Sequence, residues 1–215
     1  MIVYGSSMSP FVRKVLAFAA EKGVEVESKP LGLGNTDPDF REASPFGKIP
    51  GFRDGDFAIS DSTAIVFYLD ALKADPALIP SDAKARARTI WWDEFADTIF
   101  AVCGGKMFFN RIVAPKFLGR EGDEKIAADA ECNELPPLLR FLEERIPDSG
   151  WLVEDRLTLA DIAVASPFAN LRHLGLPVDA DAYPRLAAYV EKMLDRPSFK
   201  TWVDKESAFF ARLAA

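Results

Sequence analysis

The sequence predicts an α/β domain followed by an all-helical one. Strand-like and helix-like apolar patterns alternate over the first third of the chain, and no hairpin signal occurs beyond about residue 75. Lys73-Ala74-Asp75-Pro76 and Ile79-Pro80-Ser81 mark a proline-rich connection between the two textures. The expected division is residues 1–75, a linker at 76–83 and a helical domain at 84–215.

Ile2-Val3-Tyr4 reads as a short buried strand. Ser9 then offers an N-cap oxygen and Pro10 a preset first helical residue. Phe11, Val15, Phe18 and Ala19 follow at helical spacing, and Gly23 supplies a left-handed stop. Residues 24–31 alternate like a second strand, 32–35 read as a loop, and Asp37-Pro38 restarts a short helix that ends before Pro45. Two short apolar runs flank Asp54-Gly55, a strong hairpin signal. Asp61-Ser62 then opens a helix carrying Ile65, Val66, Tyr68 and Leu69. The order βαβ, short helix, ββα is that of a thioredoxin-like domain with a mixed four-stranded sheet. Helices are expected at about 82–112, 123–146, 159–174, 184–195 and 199–213, separated by Pro and Gly.

The 215 residues carry a net charge of −7 and are 49% hydrophobic and 27% charged. A core of ordinary size follows without disulfides or metals. The acidic balance argues against nucleic acid and anionic membranes as partners, though not against a small anion in a locally positive pocket. Cys103 and Cys132 stand in no CxxC or metal-ligand spacing, so neither a disulfide nor a zinc site is expected. No apolar run reaches the ~18 residues of a membrane span, and the first residues run into a strand rather than a leader. The expectation is a reduced, cytoplasmic protein.

Three places are candidates for chemistry. Ile49-Pro50 precedes a strand; a cis bond there turns the backbone of Ile49 outward to pair with an extended peptide, and the plain alternative is an edge-strand proline. Asp61-Ser62 places a carboxylate beside a hydroxyl and amide at a helix start, a pair that suits an α-amino acid head group, against simple capping. Ser6-Ser7-Met8-Ser9-Pro10 puts hydroxyls at the positive end of a helix, where one can donate to a thiolate and lower its pKa, against capping by Ser9 alone. Tyr4, inside its strand, is the weaker donor. His173, the only histidine, has no evident catalytic partner, and Gly32-Leu33-Gly34 lacks the rest of a dinucleotide fingerprint.

Taken together, these places resemble one family. Ser44-Pro45-Phe46-Gly47-Lys48-Ile49-Pro50-Gly51-Phe52, followed by Asp61-Ser62-Thr63-Ala64-Ile65-Val66-Phe67-Tyr68-Leu69, is similar to the N-terminal domain of cytosolic glutathione transferases. Thr158-Leu159-Ala160-Asp161-Ile162-Ala163 is similar to the capping segment of their second domain, and it also reads as a capping box by its own chemistry. The likeness is to bacterial, serine-type members and extends over the whole chain.

The resemblance implies a cis Pro50, Ile49 paired with the cysteinyl backbone of glutathione, Asp61 and Ser62 on its γ-glutamyl end, and Lys48 on a carboxylate. For the thiolate donor it leaves two alignments. Ser9-Pro10-Phe11-Val12 stands in the Cys-Pro place of glutaredoxin-like members, which favours Ser9; Ser6-Ser7-Met8-Ser9 resembles zeta-like members, which favours Ser7. Serine for cysteine argues against thiol–disulfide exchange. Glutathione is then a co-substrate, with no metal and a small electrophile as second substrate. The competing readings are a non-catalytic interaction module of the same fold and a glutathione-dependent isomerase or dehalogenase.

The family pattern also implies a homodimer, with Phe52 either an apolar key at the subunit surface or a residue buried in its own sheet. Phe100, Gly104, Met107, Phe108 and Arg111 recur at spacings of three and four and share a helical face. That stripe is either the wall of the electrophile site, with Arg111 near its mouth to bind an anionic group or simply to pair with a surface carboxylate, or helix–helix core.

Overall fold

The computed structural model describes residues 1–32 and 34–214. Leu33, in the expected loop, lies outside the described residues. The chain divides into two compact units, Ser81–Asp195 and a unit made of Met1–Pro80 together with the chain from Arg196 onward.

In the first unit, strand β1 (Ile2–Tyr4) leads to helix α1 (Pro10–Lys22). Ser9 caps α1, and Gly23 at φ 63° ends it, donating its amide to Ala19 and Ala20. Strand β2 (Glu27–Lys29) is shorter than the alternation predicts; the pattern marks burial on either side of β2, whereas pairing is limited to three residues of β1. Helix α2 (Pro38–Ala43) is capped by Asp37. Strands β3 (Gly51–Asp54) and β4 (Phe57–Ser60) form the hairpin, and helix α3 (Ser62–Leu72) follows. The two-residue turn is Gly55-Asp56, one position later than the Asp-Gly signal implies, because Asp54 pairs with Phe57.

The sheet order is β2-β1-β3-β4. β1 runs parallel to β2 and antiparallel to β3, and β3 antiparallel to β4. Helices α1 and α3 pack on one another, while α2 packs on β3 and β4. Phe52 is fully buried, with its ring 5.5 Å from that of Tyr68. The expectation of Phe52 as a surface key is therefore corrected: the parity of β3 turns it into its own domain.

The second unit is helical. A single long run is built from α4 (Ala83–Phe95), α5 (Ala101–Phe108) and α6 (Ala114–Phe117), joined by π-helical turns at Ala96–Phe100 and Phe109–Val113. A third π turn, Ala130–Glu134, joins α7 (Glu124–Asp129) to α8 (Leu135–Glu143). Helix α9 (Leu159–His173) is buried almost throughout, and α10 (Pro184–Leu194) packs against it. The capping box at its start is formed: Asp161 accepts from the amides of Thr158 and Leu152, each at 2.9 Å. Helix α11 (Pro197–Ala214) was expected with the helical domain; it packs on α1 and clusters with the first unit.

Candidate active site

The strand register gathers the first unit's candidates at one end of the sheet. Tyr4, the last residue of β1, pairs with Gly51, the first of β3, and Gly51 pairs with Ser60, the last of β4. The segments that leave these three positions are residues 5–9 before α1, Ile49-Pro50 before β3, and Asp61-Ser62 before α3. All three therefore emerge side by side. Gly5 sits between two of them: a Cβ there would lie 2.8 Å from a Val12 methyl and 2.9 Å from the Ile49 Cβ, so only glycine lets the turn before α1 close against Ile49.

The bond between Ile49 and Pro50 is cis. The loop before it is tied at both ends: Ser44 receives Gly47's amide on its carbonyl and donates its hydroxyl to the Lys48 carbonyl at 2.6 Å. Ser44 is thus the anchor of this loop, and Lys48 is exposed on it.

Asp61 is the N-cap of α3 and accepts from the Ala64 amide at 2.9 Å. Its φ of 84° is a conformation that a non-glycine residue rarely holds, and such strain concentrates at functional positions. Its carboxylate is exposed, whereas Ser62, in the first turn of α3, is buried. The pair places an exposed negative charge beside the amide-rich, positive end of a helix, the complement of an α-amino acid head group.

Ser9 stands at the corresponding end of α1. Its oxygen accepts weakly from the Val12 amide at 3.5 Å, its carbonyl accepts from Arg13, and its hydroxyl proton remains available to donate. Ser6 accepts from the Met8 amide at 3.4 Å. Ser7 lies between them, part-exposed. The ring of Tyr4 packs on Phe40 in a core cluster with Ala43, and its hydroxyl is enclosed. Lys14 of α1 donates to Thr63 of α3 at 3.2 Å, a tie between the two helix starts for which the sequence holds no local signal.

The stripe on α5 belongs to the second unit and is largely its packing. Phe100 lies 4.7 Å ring to ring from Phe168 of α9, and Met107 is fully buried. Phe108 is buried as well. Arg111 is not free at the mouth of a pocket: it pairs with Glu124 at 2.6 Å and with Glu131, and these carboxylates raise its pKa. Arg111 lies in the π turn that follows α5. Gly104 differs from the other four: it is buried, yet a Cβ built on it meets no heavy atom within 4 Å.

A fold of this type with a cis-proline loop, an acid–serine helix start and a capping serine in register defines a class of proteins that hold a small peptide thiol. The chain matches the family descriptions glutathione S-transferase, N-terminal domain, over residues 3–77 and glutathione S-transferase, C-terminal domain, over residues 99–197. It belongs to the glutathione S-transferase family. A glutathione S-transferase of Hyoscyamus muticus is 30% identical over 209 residues, covering 95% of this chain and 98% of the relative. Elongation factor 1-gamma of Schizosaccharomyces pombe is 35% identical over 162 residues, 74% of this chain but 38% of that protein. The theta class glutathione S-transferase of Xanthomonas axonopodis pv. citri, solved with glutathione bound, is 28% identical with a TM-score of 0.78, covering 94% of this chain and 96% of the other.

Proposed function

We propose that this glutathione S-transferase is of the serine type, with Ser9 donating a hydrogen bond to the sulfur of bound glutathione. The observation that carries the reading is the register: Ser9 at the N-cap of α1 stands at the same sheet end as Ile49-Pro50 and Asp61-Ser62. Asp61 then pairs with the γ-glutamyl ammonium and Ser62 with its carboxylate. The backbone of Ile49 pairs with the cysteinyl residue, and Lys48 reaches the glycyl carboxylate.

Chemistry follows from the charge state of the sulfur. A free thiol has a pKa of about 8.5, so ionising it at neutral pH requires a shift of ~2 units, about 3 kcal/mol. One hydroxyl hydrogen bond to an anion plus a helix N-terminus supplies roughly that much. The thiolate attacks an electrophilic carbon of a small apolar substrate; with an aryl halide a C–S bond forms and halide leaves with its bonding pair. No metal enters this step. Of the stripe, the space at Gly104 remains the proposed point of contact with the acceptor; Phe100, Met107 and Phe108 pack behind it, and Arg111 is a structural tie beside it.

The second reading is a non-catalytic module. It draws on the elongation factor relative, which is likewise matched along most of this chain. Turnover of glutathione with an activated aryl chloride, together with calorimetry of glutathione binding, separates the two. Binding with thiol addition supports the enzyme; binding without addition to any of a panel of electrophiles favours the module.

We also propose a homodimer. Phe46 takes the role expected of Phe52: it is 88% exposed on the loop that Ser44 braces.

A further inference from the structure

Residues 12–14, the first turn of α1 after its cap and proline, are anchored in three directions. Val12 closes against Gly5, and Lys14 reaches Thr63 beside Ser62. Arg13 reaches the far end of the chain. Its guanidinium donates to Glu206 of α11 through Nη2 at 2.7 Å and Nε at 3.4 Å, and both side chains are essentially sealed from solvent, at 0% and 2% exposure. The amide of Arg13 meanwhile donates to the Ser9 carbonyl at 2.9 Å, closing the turn that presents Ser9. A second clamp holds the other end of α1: Glu21 accepts from Arg196 and from Ser198, the second residue of α11. Burial pushes the Glu21 carboxyl up, and these hydrogen bonds more than offset it, leaving its pKa below the ordinary value.

A buried ion pair is an inefficient way to stabilise a fold, because apolar residues of the same volume do as well or better. What the forked, two-point pairing of arginine adds is geometry. We propose that Glu206 is a positioning residue for the thiolate site: through Arg13 it fixes the first turn of α1, and with it the direction of the Ser9 hydroxyl and of the helix amides toward the glutathione sulfur. The last helix of the chain thereby sets the acidity of a thiol bound at the first. Among the described contacts of this turn, Arg13 pairs with Glu206 of α11 and Lys14 donates to Thr63 of α3.

The inference rests on Ser9 being the thiolate donor. The test is a titration of the thiolate absorbance of bound glutathione in the wild type, in Glu206→Gln and in the double variant Arg13→Met with Glu206→Met. Affinity for glutathione is measured alongside by calorimetry. In both variants the thiol pKa is expected to rise by about one unit, so that turnover near pH 6.5 falls about tenfold and recovers at higher pH. Glutathione affinity stays within a few-fold, since the γ-glutamyl contacts are untouched. Glu206→Gln keeps an acceptor but takes the negative charge from a buried arginine and is the variant at risk of unfolding; the double variant removes both charges and decides if it does. A folded double variant with the wild-type thiol pKa overturns the inference and leaves Ser9 in place, and so does failure of both variants to fold, which would make the pair a fold determinant only. A wild type whose bound thiol keeps the pKa of free glutathione overturns the Ser9 reading itself and this inference with it.

Discussion

Asp61 caps α3 and is proposed to hold an ammonium as well, and one substitution separates the two roles. It caps α3 through Oδ1 and holds a φ of 84°, both of which asparagine tolerates better than alanine does. Asp61→Asn therefore keeps the helix start and removes only the charge. Losing the pairing to an ammonium is expected to weaken glutathione binding by ~2 kcal/mol, about 30-fold, with the melting temperature nearly unchanged. Calorimetry giving wild-type affinity would reject the γ-glutamyl assignment. At Ser9 the expectation is a different split. Ser9→Ala cuts turnover strongly and leaves affinity within a few-fold, at a stability loss of about 1 kcal/mol for the lost cap. If Ser7→Ala alone abolishes turnover, the donor is Ser7. These residues were legible because capping and charge are local: Ser9, Asp61 and the proline at 50 each declare themselves within a few positions. Gly5 and Ser44 were not, since their roles depend on Val12, Ile49 and Lys48 arriving in space.

At the scale of elements, the α1, α3 and α9 starts were legible for the same reason, and the π turns were not. Ala-Asp-Thr-Ile-Phe and Phe-Asn-Arg-Ile-Val have ordinary helical composition, and nothing local marks the extra residue in each turn. Of the two roles the sequence leaves open for Arg111, pairing with a surface carboxylate is the one the structure shows. Gly104 offers a clean test of what remains of that stripe. A methyl there meets no neighbour, so Gly104→Ala is expected to raise stability by up to ~1 kcal/mol through helix propensity alone. Gly104→Leu is expected to reduce turnover with large electrophiles while sparing glutathione affinity. A fall in melting temperature with all activities declining together would make the position core. The capping box of α9 yields a pH prediction. Burial raises the Asp161 carboxyl to about 6 from an ordinary 3.8, although the amides of Leu152 and Thr158 and the Thr158 hydroxyl pull it back. The folded chain then binds more protons than the unfolded one between about pH 4 and 6, so stability falls as pH rises through that window. The stability of wild type relative to Asp161→Asn is expected to drop by ~2–3 kcal/mol from pH 4 to 7. Urea denaturation showing a constant difference would contradict this.

For the molecule as a whole, the question is what covers its exposed apolar groups. Phe46 is 88% exposed on a loop pinned by Ser44, so its ring is held out rather than left to collapse. In the helical unit Trp91, Ile99 and Val102 of the long run are about half exposed, at 52%, 48% and 51%. Each alone is ordinary for a protein surface, but a braced phenylalanine and three large side chains along one helical run are the kind of surface that marks an interface. The occupant proposed above is a second copy of this chain. Of the two readings the sequence leaves open for Phe52, surface key or buried in its own sheet, the structure shows the second. Phe46 and Phe52 flank the same Ile49-Pro50, and only the pairing of Phe52 with Val3 and Ile59 settles which one is interior. Burying a phenylalanine side chain is worth about 2–3 kcal/mol and a two-fold dimer buries two, so Phe46→Ser is expected to weaken dimerisation by roughly a thousandfold or more while leaving the unfolding of the separated chain unchanged. Trp91→Glu is expected to act in the same direction through the helical unit, by placing a charge where an apolar group is covered. Light scattering over a dilution series reads both. The wild type is expected at twice the 23.7 kDa chain mass at micromolar concentration, and the variants are expected to shift toward the single-chain mass. A wild type that scatters as 23.7 kDa at that concentration refutes the dimer. A wild-type dimer that Phe46→Ser leaves intact removes Phe46 from its interface.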